Sequence, residues 1–87
     1  MPGASRITVD KAEGIIIGPG ASSVLVNGKA VSVANDDVTP HGSGLHAAPK
    51  VLIGSDTVFA EGKAIIREGD KATCLHVATG SSDVLVG

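Results

Sequence analysis

The stretch Gly20–Val31, GASSVLVNGKAV, decides the fold, because it returns later in the chain as Gly54–Ile65, GSDTVFAEGKAI. The two copies align without a gap, and a shorter third copy, GSSDVLVG, spans Gly80–Gly87. Each copy has a glycine, three small or polar residues and a valine, and the two full copies continue to Gly-Lys-Ala. Such self-similarity indicates a duplicated unit. Three related units suggest a pseudo-threefold arrangement.

Short apolar runs bounded by turn residues predict strands rather than helices. Val24–Val26, Val31–Val33 and Val84–Val86 alternate with the period of two that half-buried strands show. Asn27-Gly28 is a strong hairpin signal, and Glu61-Gly62 holds the equivalent place in the later copy. Runs of similar character are Ile15–Ile17, Val51–Ile53, Val58–Ala60 and Ala64–Ile66. We expect one all-β domain over residues 1–87, with repeat units at about 20–41, 54–76 and, in part, 80–87.

The composition limits the size of the core and the classes of partner. The chain has 87 residues with one Phe, one Met and no Trp or Tyr, so its core is thin and a staple such as a metal or a partner chain is expected. A single cysteine excludes an intrachain disulfide. The net charge is −2 and the basic residues are scattered, which argues against a nucleic-acid partner.

The first residues, MPGASRITVDKAEG, contain no apolar run of the kind found in signal peptides. No apolar run elsewhere approaches the length of a membrane helix. We therefore expect synthesis in the cytoplasm and no stable membrane association.

Four residues can serve as soft or borderline metal ligands: His41, His46, Cys74 and His76. They form two pairs, and each pair follows a full repeat, so the pairs hold nearly equivalent places in a duplicated unit. Cys74 and His76 share one face if their segment is extended, whereas a glycine-rich loop separates His41 from His46. The alternative for a lone cysteine is a small buried hydrophobic residue.

One thiolate and three imidazoles make a complete tetrahedral set for zinc. These ligand types suit zinc better than Mg²⁺ or Ca²⁺, and they also suit iron. Four protein ligands leave no position for a water molecule, which is typical of structural rather than catalytic sites. The set therefore argues for a metal and against an enzyme.

The segment Gly54–His76, GSDTVFAEGKAIIREGDKATCLH, resembles the repeat of the PAAR-repeat proteins, with Arg67 in the arginine position. Gly20–His41 is similar but weaker, with Ala34 in place of that arginine. The N-terminal Ala4–Arg6 is similar to the half-unit that begins the family's proteins, where members often carry a histidine at the place of Glu13. The resemblance covers nearly the whole chain.

The resemblance implies a small cone that caps and sharpens the trimeric β-helical spike of a contractile injection machine, such as a type VI secretion system or a phage tail. One chain would sit on each trimer and be ejected with it, with a membrane-piercing tip. Effector proteins are a second class of partner that the resemblance allows. Carried over to this chain, the metal near the apex would be held by His41, His46, Cys74 and His76.

Two other classes of function fit the residues. A small metallohydrolase needs an open metal position and a nearby base, for which Glu13, Glu61, Glu68 or Asp70 are the candidates. A zinc-binding adaptor would recognise a protein other than a spike. Three protein ligands with a bound water would favour the hydrolase, and failure to bind any β-helical spike would favour the adaptor.

Overall fold

The computed structural model describes residues 1–87 and is all-β, apart from one 3-10 turn at Gly44–His46. The predicted fold class is confirmed. The strands are β1 Lys11–Ala12, β2 Gly14–Gly18, β3 Ala21–Val26, β4 Lys29–Val31, β5 Asp36–Val38, β6 Lys50–Val51, β7 Phe59–Ala60 and β8 Lys63–Ala64. An antiparallel sheet has the order β1-β2-β5-β6, and β3–β4 and β7–β8 are separate hairpins.

The two hairpins lie where the sequence predicts them. Asn27 and Gly28 have φ angles of 52° and 82°, and Glu61 and Gly62 have φ angles of 53° and 79°. Two successive residues with positive φ are the signature of a type I′ turn, whose twist matches that of the flanking strands. Asn and Gly adopt this conformation readily, which is why the first turn is legible in the sequence.

Many backbone hydrogen bonds lie outside regular strands, and the sequence predicts these pairings less well than it predicts the hairpins. Of 41 backbone hydrogen bonds, 29 lie outside the named elements, so pairing is distributed over turns and isolated bridges. The run Val84–Val86 forms no named strand, although Leu85 makes an isolated bridge. Strands β1 and β5 were not predicted, because Lys11–Ala12 is short and Asp36–Val38 begins with two residues typical of turns.

The third copy is completed by the N-terminal segment. The Ala4 N–H donates to the Val84 carbonyl, and the Val86 N–H donates to the Pro2 carbonyl, both at 2.8 Å. Gly3 and Leu85 form the antiparallel bridge between them. These residues reproduce the pairing within the β3–β4 and β7–β8 hairpins, although the two segments lie at opposite ends of the chain. The division into repeat units stays a prediction, which this pairing supports.

A closed ring of backbone hydrogen bonds relates the three copies. The Ser5 N–H donates to the Ile66 carbonyl, the Ile66 N–H to the Ser32 carbonyl, and the Ser32 N–H to the Ser5 carbonyl, each at 2.9 Å. Each residue donates once and accepts once, so the ring has the pattern of a threefold rotation. The pseudo-threefold arrangement suggested by the repeats is therefore present in the backbone.

Two clusters of buried apolar side chains form the core. The first draws on all three copies and consists of Ala4, Ala21, Val26, Val31, Val33, Ala60, Ile65 and Val86. The second contains the cysteine and consists of Ala12, Ile16, Val38, Val51, Ile66, Ala72, Cys74 and Ala78. Ile65 and Ile66 are neighbours in the chain but belong to different clusters, which places the hydrogen-bond ring between the two.

Two arginine–aspartate pairs follow the ring at matching places. Arg6 Nε lies 2.8 Å from Asp10 Oδ2, and Arg67 Nε lies 3.1 Å from Asp70 Oδ2. In both pairs the arginine Nη2 donates to Oδ1 of the same carboxylate and the arginine backbone N–H donates to Oδ2. Bidentate pairs of this kind combine charge with fixed geometry. Each pair thus locks the turn that leads away from the ring.

In the middle copy, an aspartate holds the corresponding turn without an arginine partner. The Val33 N–H donates to Asp36 Oδ2 at 2.9 Å, as the arginine N–H does in the other copies. The Ser32 hydroxyl and the Gly20 N–H, each at 3.0 Å, supply further donors to this carboxylate. The residue at the arginine position is therefore Val33, and the sequence assignment of Ala34 to that place is wrong by one residue.

Asp10 offers a test of these carboxylates. Burial opposes its ionisation, but hydrogen bonds donated by Arg6 and by the Thr79 hydroxyl outweigh burial and hold the pKa of Asp10 below its usual range. We expect Asp10→Asn to lower the free energy of unfolding at pH 7 by about 2 kcal/mol, because the negative charge is lost and one of the two acceptor oxygens becomes an NH2 group that faces other donors. Denaturant unfolding of both proteins measures the difference.

The pH dependence follows from the direction of the shift. A lowered folded-state pKa stabilises the fold fully above the unfolded-state pKa of about 3.9, and the contribution is lost as the pH falls through the folded-state pKa. The difference between Asp10→Asn and the wild type should therefore shrink in acid. Glu68→Gln removes an exposed carboxylate outside the three ion pairs and is the control. A difference that stays constant across this pH range would contradict the prediction.

Candidate metal centre

The loop after β5 brings two histidines together. The backbone N–H of His41 donates to the backbone carbonyl of His46 at 2.9 Å, which closes the loop. The 3-10 turn Gly44–His46 ends at the second histidine. Gly44 has a φ of 64°, a conformation that glycine adopts without strain. The glycine-rich sequence between the histidines therefore lets the loop fold back on itself.

Cys74 and His76 lie on a tight turn rather than on an extended segment. The Ala72 N–H donates to the His76 carbonyl at 2.9 Å, and the Leu75 N–H donates to the Ala72 carbonyl at 3.0 Å. Leu75 between them has a φ of 71°, in the left-handed region. Their side chains thus share a site because the chain turns, and the expectation based on an extended strand is corrected here.

The two pairs converge. The ligand atoms of His41, His46, Cys74 and His76 all lie within 4.8 Å of one another. The three imidazole centroids form a nearly equilateral triangle with sides of 5.0, 5.3 and 5.2 Å. Cys74 is 3% exposed within the second core cluster, and the histidines are half-buried. The sequence therefore selected four residues that the fold does bring to one place.

The spacing of the two histidines in the loop is close to that of two ligands of one metal ion. Ligands about 2.0–2.3 Å from a tetrahedral zinc ion lie roughly 3.3–3.8 Å from one another, and His46 Nδ1 lies 3.2 Å from His41 Nε2. His41 Nδ1 is 3.1 Å from the Thr39 carbonyl, to which it donates when it carries the proton. With the proton on Nδ1, His41 Nε2 presents its lone pair to the cluster. In metal sites a backbone carbonyl often orients a histidine ligand in this way.

Two residues that support the cluster were missed by the sequence. The Thr39 carbonyl orients His41, and Gly14 gives its ring room, because a Cβ at position 14 would lie 2.9 Å from His41 Nδ1. A backbone carbonyl has no sequence signature. The glycine offered a weak signal, since glycine is common where a backbone approaches another group closely. Glu13 is exposed and lies outside the cluster.

The donor set decides what the cluster can do. Soft thiolate and borderline imidazole select transition metals over hard cations. The cluster of His and Cys side chains could hold a metal ion.

A comparison with protein-family models identifies the fold. The model for the PAAR motif matches residues 9–74. The chain belongs to the PAAR motif family. This family has a cone-shaped β fold, is structural rather than enzymatic, and is associated with spike-tip proteins of contractile injection systems. The resemblance noted in the sequence is thereby confirmed.

The extent of the match matters for the site. It includes His41, His46 and Cys74, whereas His76 and the third repeat copy lie beyond it.

A search of curated proteins found no match to this PAAR chain. No helix here has the length and hydropathy needed to traverse a bilayer.

The geometry predicts that removing any one of the four side chains strongly lowers the affinity for a metal ion. We expect Cys74→Ser and His76→Ala to weaken zinc affinity by more than roughly 10–100-fold, which is the usual cost of losing a group that only hydrogen-bonds to a ligand. Competition with a chromophoric chelator, with metal content checked by mass spectrometry, measures the change. Leu45→Ala alters an exposed residue beside His46 without removing a donor and is the control. Zinc affinity in His76→Ala equal to that of the wild type would remove His76 from the set.

Proposed function

We propose that this chain is the tip of a contractile injection machine, one copy of which caps the end of a trimeric β-helical spike. The observation that carries the proposal is the closed ring of Ser5, Ser32 and Ile66. A single chain with pseudo-threefold symmetry can present three similar surfaces to a partner with true threefold symmetry, and so match it with one copy. Membership in the PAAR motif family supports this role.

We further propose that His41, His46, Cys74 and His76 are the four ligands of one structural metal ion, with zinc as the first candidate and iron as the second. The core contains no aromatic side chain, and its largest fully buried residues are Ile16 and Ile66. Domains of this size are stable by about 5–15 kcal/mol, and structural zinc contributes on the order of 10 kcal/mol in small metal-dependent domains. One ion can therefore supply rigidity that this core cannot.

The same closed ligand set supports a non-enzymatic role. A metallohydrolase needs a metal position for water and a base beside it, and the cluster contains no carboxylate. An adaptor for another protein would have no need of pseudo-threefold symmetry. We accordingly propose that the chain is made in the cytoplasm and leaves the cell as part of the spike, in a phage tail or a secretion system.

Native mass spectrometry tests both parts of this proposal at once. The chain is mixed with the trimeric β-helical spike protein encoded nearest to it. We expect one chain per trimer, with the added mass of one metal ion. A chain that retains its metal but ignores the trimer would reject the capping role and favour the adaptor. A metal-free chain that still caps the trimer would reject the structural metal.

Treatment with a strong chelator gives a second readout of the metal. We expect chelated protein to unfold at a lower temperature than the metal-loaded form, because binding free energy to the native state adds to the free energy of unfolding. Restoring zinc should restore the midpoint. Cys74→Ser provides the control, since chelation should shift its midpoint little. Equal midpoints for chelated and loaded wild type would contradict a stabilising metal.

A further inference from the structure

Each of the three repeat copies exposes a large apolar side chain at the same position of the repeat. Leu25, Phe59 and Leu85 are 63%, 59% and 49% exposed, although each is followed by a buried residue. Phe59 is the only aromatic residue of the FWY type in the chain, and it lies on the surface rather than in the core. An aromatic-poor protein that leaves its one phenylalanine outside the core exposes it at a cost unless a partner covers it.

The three positions are equivalent in the backbone as well as in the sequence. Each lies opposite a small residue across an antiparallel pair, and these partners are Ala30, Ala64 and Gly3, in that order. Each precedes an inward-facing residue of the first core cluster, namely Val26, Ala60 and Val86. The threefold pattern of the hydrogen-bond ring therefore extends to three exposed side chains, which we term the apolar triad.

The apolar triad and the candidate metal centre are associated with different core clusters. The inward neighbours of the triad belong to the first cluster, whereas Cys74 belongs to the second, and the ring lies between the clusters. Three similar apolar groups disposed about one axis form a surface that fits a partner with the same symmetry. A single-chain partner without that symmetry would contact the three groups in three unrelated ways.

We propose that Leu25, Phe59 and Leu85 are the anchors by which the chain seats on its trimeric partner, each filling one of three identical apolar pockets. This inference rests on the proposed function, and it specifies the chemistry of the partner. The subunits of a homotrimer are identical, whereas the anchors are two leucines and one phenylalanine. Because the chain can dock in three equivalent rotations, every pocket must accept the phenylalanine ring as well as a leucine.

Two kinds of variant follow from this. Phe59→Asp should weaken binding to the trimer by at least roughly 30-fold, the loss typical of a buried hot spot. Leu25→Phe should bind at least as tightly as the wild type, because the pocket that receives position 25 is already large enough for phenylalanine. Ile17→Asp is the matched control, since Ile17 is also exposed, at 48%, but its neighbour Ile16 belongs to the second cluster.

The experiment is a binding titration of the zinc-loaded chain with the trimeric spike protein encoded nearest to it, by biolayer interferometry. Thermal unfolding of each variant confirms that it folds. Loss of binding in Phe59→Asp, with binding retained in Leu25→Phe and Ile17→Asp, is the expected result. Equal binding by Phe59→Asp and wild type would overturn the anchors while leaving the capping role intact. Loss of binding in Leu25→Phe would overturn the equivalence of the pockets. No binding by the wild type would instead reject the proposed function.

Discussion

Three backbone hydrogen bonds between Ser5, Ser32 and Ile66 hold together segments that are far apart in the chain. Each copy of the repeat is a short hairpin, and an isolated hairpin is marginal in water. The ring gives every copy two neighbours and leaves no copy at an end. The first core cluster draws on all three copies, so the ring and this cluster join the same three units.

The donors that hold the turn after the ring differ among the three copies. The turn after it is held by a carboxylate in all three copies, yet only Arg6 and Arg67 add a guanidinium. Asp36 instead accepts from neutral donors and is 2% exposed. The backbone geometry is therefore the constraint, and the cation is one of two ways to satisfy a buried carboxylate. Pseudo-symmetry in the fold is thus compatible with different chemistry in each copy.

The two core clusters support different surface features. Beside the second cluster, imidazoles and a thiolate from two loops converge to within 4.8 Å of one another. In each copy, the exposed apolar side chain precedes a buried residue of the first cluster. The hydrogen-bond ring includes Ile66 of the second cluster, and Ile65, the residue before it, belongs to the first, so the ring joins the two clusters.

The sequence by itself determined the all-β class, the hairpins at Asn27-Gly28 and Glu61-Gly62, the family and the four candidate ligands. These features depend on residue type at neighbouring positions, such as a positive φ that Asn and Gly tolerate. Only the tertiary structure decided that residues 2–4 complete the third copy and that Cys74 and His76 meet through a turn. Those features depend on backbone N–H and C=O groups that nearly every residue carries, so no residue pattern marks which of them will pair.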